Sequence, residues 1–228
     1  MRTYGFARFA WAPAAIAALA LSACGDEGGG GAQAGLKEQD RVMGDPDAPV
    51  TVIEYASITC SHCKRWHDEV YPRVKEELVD TGMVRFVFRE LPTAPMDVSV
   101  AGFLVARCAP ESRYFSVIDT LFDRQERLFT AQDRRAELLA VARAAGLSED
   151  EFNACIRDED QIARINEWSD EAATRYRITG TPGFVINGVV HNGEQPFETF
   201  AEAVEDATGE PVPTDSEEES GEAAGMEG

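Results

Sequence analysis

The chain has 228 residues, 44% of them hydrophobic and 9% aromatic, which suffices for one sizeable globular domain, or one domain enlarged by an insertion, and excludes a wholly disordered protein. Forty-one acidic side chains against 21 Lys and Arg give a net charge of −20, so a nucleic-acid backbone is repelled and a DNA- or RNA-binding role is set aside.

The N-terminus reads as a processing signal over residues 1–23. Arg2 and Arg8 supply a positive start, and Phe9 to Leu21 is an apolar, alanine-rich run too short to span a bilayer as a helix. Leu21-Ser22-Ala23-Cys24 closes it and resembles the lipobox of bacterial lipoproteins, which implies cleavage before Cys24 and lipidation of that residue. The alternative is an ordinary secretory signal with a small-residue cleavage site, and either reading exports the chain. Residues 24–35, with the run GDEGGGGAQA, have no apolar period and are expected to form a flexible tether. At the other end, residues 209–228 carry seven acidic residues and no Lys or Arg, the composition of a disordered acidic tail. The folded part is therefore expected within residues 36–208.

Inside it, Val50-Thr-Val-Ile-Glu-Tyr is a β-branched run of a length that suits a buried strand. Cys60-Ser-His-Cys63 follows, and then Trp66, Val70, Val74 and Leu78 recur every four residues as the stripe of an amphipathic helix. Pro72 interrupts that stripe, so the helix either kinks or ends there. After the turn at Thr81-Gly82, Val84 to Arg89 reads as a second strand, and residues 50–89 form a β-α-β unit.

A dithiol at the start of a helix meets unpaired backbone N–H groups and the positive end of the helix dipole, which favour a thiolate over a thiol. Cys60 is accordingly the expected attacking sulfur, with Cys63 shielded one turn in. His62 is placed to bring a cationic or hydrogen-bonding imidazole near the Cys60 sulfur, stabilising the reduced form. Other uses of the spacing are weaker. A zinc site needs four ligands, which Cys60, Cys63, His62 and His67 cannot supply from one helical turn. The residue after Cys63 is Lys64 where a haem-attachment motif needs His. A purely structural disulfide in so small a ring restricts the unfolded chain little. Five cysteines are present; with Cys24 lipidated, four remain, and four allow three pairings.

Next comes a stretch of helical periods with no convincing strand. Val100, Leu104 and Cys108 share one face, Leu138, Ala142 and Ala145 another, and Ile162, Ile165, Trp168, Ala172 and Tyr176 a third. Phe184-Val-Ile then reads as a strand, Asn187-Gly188 as a two-residue hairpin turn into Val189-Val190, and Pro196 to Ala207 as a closing helix.

Three runs, Gly44-Asp-Pro-Asp-Ala-Pro-Val-Thr-Val, Glu54-Tyr-Ala-Ser-Ile-Thr-Cys60-Ser-His-Cys63 and Gly180-Thr-Pro-Gly-Phe-Val-Ile-Asn-Gly188, together resemble the DsbA-like thiol:disulfide oxidoreductases of the thioredoxin superfamily. The resemblance implies an α/β thioredoxin fold, a central mixed β-sheet flanked by helices, with an all-helical inserted domain. Residues 36–96 and 177–208 then supply the two parts of the thioredoxin domain, and residues 97–176 the insertion. It implies a cis Pro182, preceded by Thr181, facing the dithiol where a substrate chain would lie. It implies that Glu54 sits beneath the buried cysteine and passes protons; the alternative is a strand-edge glutamate reaching solvent. It also implies a second disulfide, Cys108–Cys155, against two buried free thiols. His67 and His191 receive no role and are expected at the surface or in packing.

The expected activity is that of an exported dithiol oxidase donating the Cys60–Cys63 disulfide to folding proteins, on the periplasmic face, lipid-anchored or otherwise soluble. No cofactor beyond the cysteine pair and no metal is expected. The expected partners are exported proteins with cysteine thiols and a membrane redox protein that resets the dithiol. A reductase or isomerase on the same fold is the first rival, because Ser61 departs from the proline common in the strongest oxidants. A non-catalytic binding protein or chaperone on a thioredoxin scaffold is the second.

Overall fold

The computed structural model describes residues 35–214. The signal at 1–23, the lipidation site Cys24, the tether apart from Gly35 and the acidic tail from residue 215 lie outside the described residues. The chain enters a five-stranded sheet at β1 (Arg41–Met43), which pairs antiparallel with β3 (Val84–Glu90). β2 (Val50–Ala56) lies at the centre, parallel to β3 on one side and antiparallel to β4 (Gly183–Ile186) on the other. β5 (Val189–Asn192) closes the far edge, giving the order β1-β3-β2-β4-β5. β1 was not foreseen: three residues are too few to show alternation, and the strand is defined by its ladder to β3.

Every residue of β2 and β3 is buried, because both faces of the sheet are covered. Side-chain alternation divides the interior in two. Val50, Val52 and Ala56 of β2, with Phe86 and Phe88 of β3, join the larger core. Ile53 and Tyr55, with Val87 and Val185, join a smaller one built on Trp168, Ala172 and Ile178. Glu54 has the parity of the first set, and Arg89 that of the second.

Between β2 and β3 runs the active-site helix in three segments: α1 (Ser61–Glu69), α2 (Tyr71–Arg73) and a wider π-helical stretch over Val74–Val79. Pro72 has no N–H to give a carbonyl one turn back, so the regular ladder stops after α1. The chain resumes at once, with Arg73 and Val74 both donating to Val70 O at 3.2 Å. The helix is therefore interrupted at the proline without ending.

Residues 91–182 contain no strand. α3 (Met96–Cys108), α4 (Tyr114–Asp123), α5 (Gln125–Thr130), α6 (Arg134–Ala144), α7 (Glu149–Cys155) and α8 (Glu159–Thr174) follow one another there, with the N-cap Ser148 and Glu151 forming the capping box that fixes the start of α7. Leu104, Leu138, Ala142, Ala145, Ile165, Trp168 and Ala172 of the three apolar stripes are all buried. α9 (Phe197–Thr208) covers β2 through Phe200, Ala201 and Val204. The β4–β5 turn places Asn187 and Gly188 at φ 46° and 88°, the left-handed pair that a tight two-residue hairpin requires.

A charge is buried on the α8 side of the sheet. Arg89, fully buried, donates to Asp40 at 2.9 and 2.7 Å, to the Tyr55 hydroxyl at 2.7 Å, to Glu171 at 2.9 Å and to the Gly35 carbonyl. Burial opposes the guanidinium charge, but these acceptors outweigh it and hold the group firmly protonated. Glu90, with the opposite parity, is met by Arg107 at 2.7 Å and by the Tyr114 hydroxyl at 2.6 Å.

Candidate active site

The turn that ends β2 is fixed by short side chains. Ser57 Oγ lies 3.0 Å from both Thr59 Oγ1 and Ser99 Oγ and accepts from Thr93 N at 3.1 Å, while Thr59 Oγ1 donates to Thr93 O at 3.0 Å. Gln125 of α5, buried, donates from Nε2 to Ile58 O at 2.8 Å and to Cys60 O at 3.0 Å. The inserted helices thus grip the backbone that carries the first cysteine. Nothing in the local sequence marks Gln125, whose partners lie 65 and 67 residues away.

Cys60 caps α1 in an extended conformation, φ −90° and ψ 123°, and its carbonyl accepts the first helical bond from Lys64 N at 3.1 Å. The Cys63 side chain, in hydrogen-bond contact with the Cys60 sulfur, is the largest influence lowering the Cys60 thiol to about 5; Thr181 and the backbone N–H groups of Cys63 and His62 add to it against the effect of burial. Cys63 is fully buried and accepts from Ser57 N at 3.5 Å. Burial first, then its hydrogen bond to Cys60 and the charge of Glu54, push its thiol far up. The two free cysteines are therefore opposites: Cys60 partly exposed and poised as thiolate, Cys63 buried and held as thiol.

Glu54 is fully buried on the α1 side of β2. Its Oε2 lies 3.1 Å from Nε2 of His67, itself buried and stacked on Phe122 at 4.2 Å between ring centres. His67 packs, as expected, but it also pairs with the carboxylate that the resemblance singled out. The signal for it was its position one turn after Cys63 on the same helix face. His191 is at the β5 edge, opposite Phe184.

The peptide Thr181–Pro182 is cis, as is Ala94–Pro95, and the Cys60 sulfur lies 3.3 Å from Thr181 O. Residues 121 positions apart are thus joined at the attacking sulfur. The His62 ring differs from its expectation. It meets Cys60 through its backbone N–H, while its Nδ1 lies 2.6 Å from Glu194 Oε1. The reason is a competing carboxylate on the loop between β5 and α9, which offers a charged acceptor at closer range.

Cys108 and Cys155 are joined by a disulfide that ties the end of α3 to the end of α7. Among the described residues no group of three or more His, Cys, Asp and Glu is arranged to hold a metal ion, and no helix is long and apolar enough to cross a membrane.

A mixed sheet with a dithiol at the start of its central helix and a cis-proline loop facing it defines the thioredoxin class, and residues 36–206 match the family model described as Thioredoxin. The chain belongs to this family, in its DsbA-like branch. It is 28% identical over 173 residues to a Rickettsia conorii protein named for protein-disulfide oxidoreductase activity, a match covering 75% of this chain and 61% of that one. The match thus spans about three fifths of that relative's length. Among solved structures, Wolbachia pipientis alpha-DsbA1 is 29% identical with a TM-score of 0.69, covering 76% of this chain and 93% of that one. A thioredoxin-like oxidoreductase from Silicibacter pomeroyi is 25% identical with a TM-score of 0.62, covering 76% and 95%.

Proposed function

We propose that the chain is an exported thiol:disulfide oxidoreductase, and that it acts as a dithiol oxidase. The observation that carries the reading is the opposition of the two cysteines: a partly exposed Cys60 pulled down to about 5 beside Thr181, and a buried Cys63 pushed up. A stabilised thiolate favours the reduced pair, so the disulfide form is a strong acceptor of electrons.

In the forward reaction a substrate thiolate attacks the Cys60 sulfur of the Cys60–Cys63 disulfide. The S–S bond breaks, Cys63 departs with the electron pair and takes up a proton, and Cys60 is left in a mixed disulfide. A second substrate thiolate attacks the substrate sulfur of that bond and releases Cys60 as thiolate. The substrate dithiol has been oxidised by two electrons, which the Cys60–Cys63 pair now holds. Glu54 and His67 supply the proton to Cys63, since they are the buried titratable pair on its side of the sheet. The extended backbone at Thr181 and Pro182 pairs with the substrate chain beside Cys60, a short form of strand addition.

The apolar run closing on Leu21-Ser22-Ala23-Cys24 supports the reading of an exported protein tethered to a membrane through lipid on Cys24, at the periplasmic face. Its substrates are exported proteins with cysteine thiols, and a membrane redox protein resets the dithiol. The reductase direction has one observation in its favour, the His62 ring engaged with Glu194. Equilibration with glutathione separates the two: a potential near about −120 mV is expected, and one near about −270 mV overturns the oxidase in favour of a reductase.

A further inference from the structure

The loop between β5 and α9 makes three attachments in three consecutive residues. Gly193 N donates to Pro182 O at 3.0 Å, so the loop is fastened to the cis-proline turn. Gln195 O accepts from Trp66 Nε1 at 2.8 Å, so it is fastened to α1. Between them Glu194 reaches the first turn of α1. Its Oε2 accepts from Arg65 Nε at 2.8 Å, and its Oε1 accepts from Arg65 Nη2 and lies 2.6 Å from His62 Nδ1.

His62 and Arg65 are thereby both engaged by Glu194, while Lys64, next to Cys63, is paired with Asp68 at 2.8 Å. Arg65 is engaged by two of its nitrogens, which fixes the plane of its guanidinium. His62 Nδ1 can donate to Glu194 or accept from Arg65 Nη2, 2.8 Å away, but not both. When the ring is protonated it has only hydrogens to offer, and the carboxylate is its acceptor. Glu194 responds in kind: Arg65 first, then His62, hold its carboxyl at about 2, so it stays ionised wherever the protein works. The charged and titratable groups facing His62 are Glu194 from the loop, Arg65 from its own helix and Cys60 at the cap, with Glu69 farther along near Arg65.

The geometry points to Glu194 as a positioning residue that withholds the His62 and Arg65 cations from the Cys60 sulfur, and so limits how strongly the Cys60–Cys63 disulfide oxidises. Exposed ion pairs of this kind add little to folding stability. Their influence falls on the neighbouring sulfur, which has beside it either free donor groups or donors already engaged by a carboxylate. The inference rests on the exchange activity proposed above, and deepens it.

The test uses the whole protein and its Glu194→Gln and Glu194→Ala variants, each made alone and in a background carrying His62→Ala and Arg65→Ala. Thiolate absorbance against pH gives the Cys60 midpoint, and equilibration with glutathione gives the exchange constant. Removing the carboxylate is expected to lower the midpoint by about half to one unit, and to raise the equilibrium constant for reduction of the protein about three- to tenfold, tenfold being about 30 mV. In the double background the same substitutions are expected to change neither. An unchanged midpoint and constant in both single variants overturns the inference, as does a shift of equal size in the double background. If the unsubstituted protein does not exchange with glutathione at all, the activity itself is refuted; that outcome is read before any variant is made.

Discussion

Cys60 and Arg89 show how differently single residues gain their meaning. Cys60 is set by groups within a few positions of it and by Thr181 across from it, so its place at the start of a helix and its lowered thiol were legible from strand, CxxC and helix in sequence. Arg89 looked like the last residue of a strand. Its charge is satisfied only because Asp40, 49 residues earlier, and Glu171, 82 later, converge on it with the Tyr55 hydroxyl. Replacing Arg89 with Ala takes the guanidinium from the buried Asp40 carboxylate, while Glu171 keeps Lys37 and Arg175, and is expected to cost about 3–5 kcal/mol in denaturant unfolding. A loss under about 1 kcal/mol would show that the cluster contributes only packing.

Elements with a strong period and a local boundary were readable in advance. β2, α1, β3, the hairpin turn at Asn187-Gly188 and the helical character of residues 91–182 each rest on a short-range cause, whether a β-branched run, a four-residue stripe or a pair of residues suited to positive φ. β1 is created by its partner strand, and the interruption at Pro72 depended on whether packing beyond it resumed the helix. The Glu194 contacts with His62 and Arg65 could not be read at all, since they join residues 129 and 132 apart and no periodicity reports them. The inserted helices themselves are stapled: Cys108–Cys155 closes a separation of 47 residues between α3 and α7. Replacing both cysteines with Ala is expected to lower stability by about 2–4 kcal/mol in the chain-entropy model, measured by urea unfolding with the Cys60–Cys63 pair held reduced. No change would mean that the packing of α3 on α7 alone defines the insertion.

For the molecule as a whole, the dithiol links redox state to stability through pH. In the reduced protein the folded Cys60 loses its proton near 5, whereas the unfolded thiol does so near 9. The unfolded chain therefore binds one more proton across that window, and stability rises with pH from about 5 to 9. Above 9 the sign reverses, because Cys63 is held protonated in the fold while the unfolded chain gives up both protons. The disulfide form has neither thiol. The difference in unfolding free energy between reduced and oxidised protein should thus climb from pH 5 to 9 and then fall, measured by parallel guanidinium titrations. A difference independent of pH would remove the thiolate as the source of oxidising power.

The alternation along β2 has a last consequence. Glu54 points to His67 on the α1 side of the sheet, and Tyr55, one residue on, to the Arg89 cluster. A one-residue slip of this strand would press a carboxylate against Trp168 and leave a phenol below Cys63, so misalignment would ruin chemistry and folding together. The central strand is proofread from above and below at once.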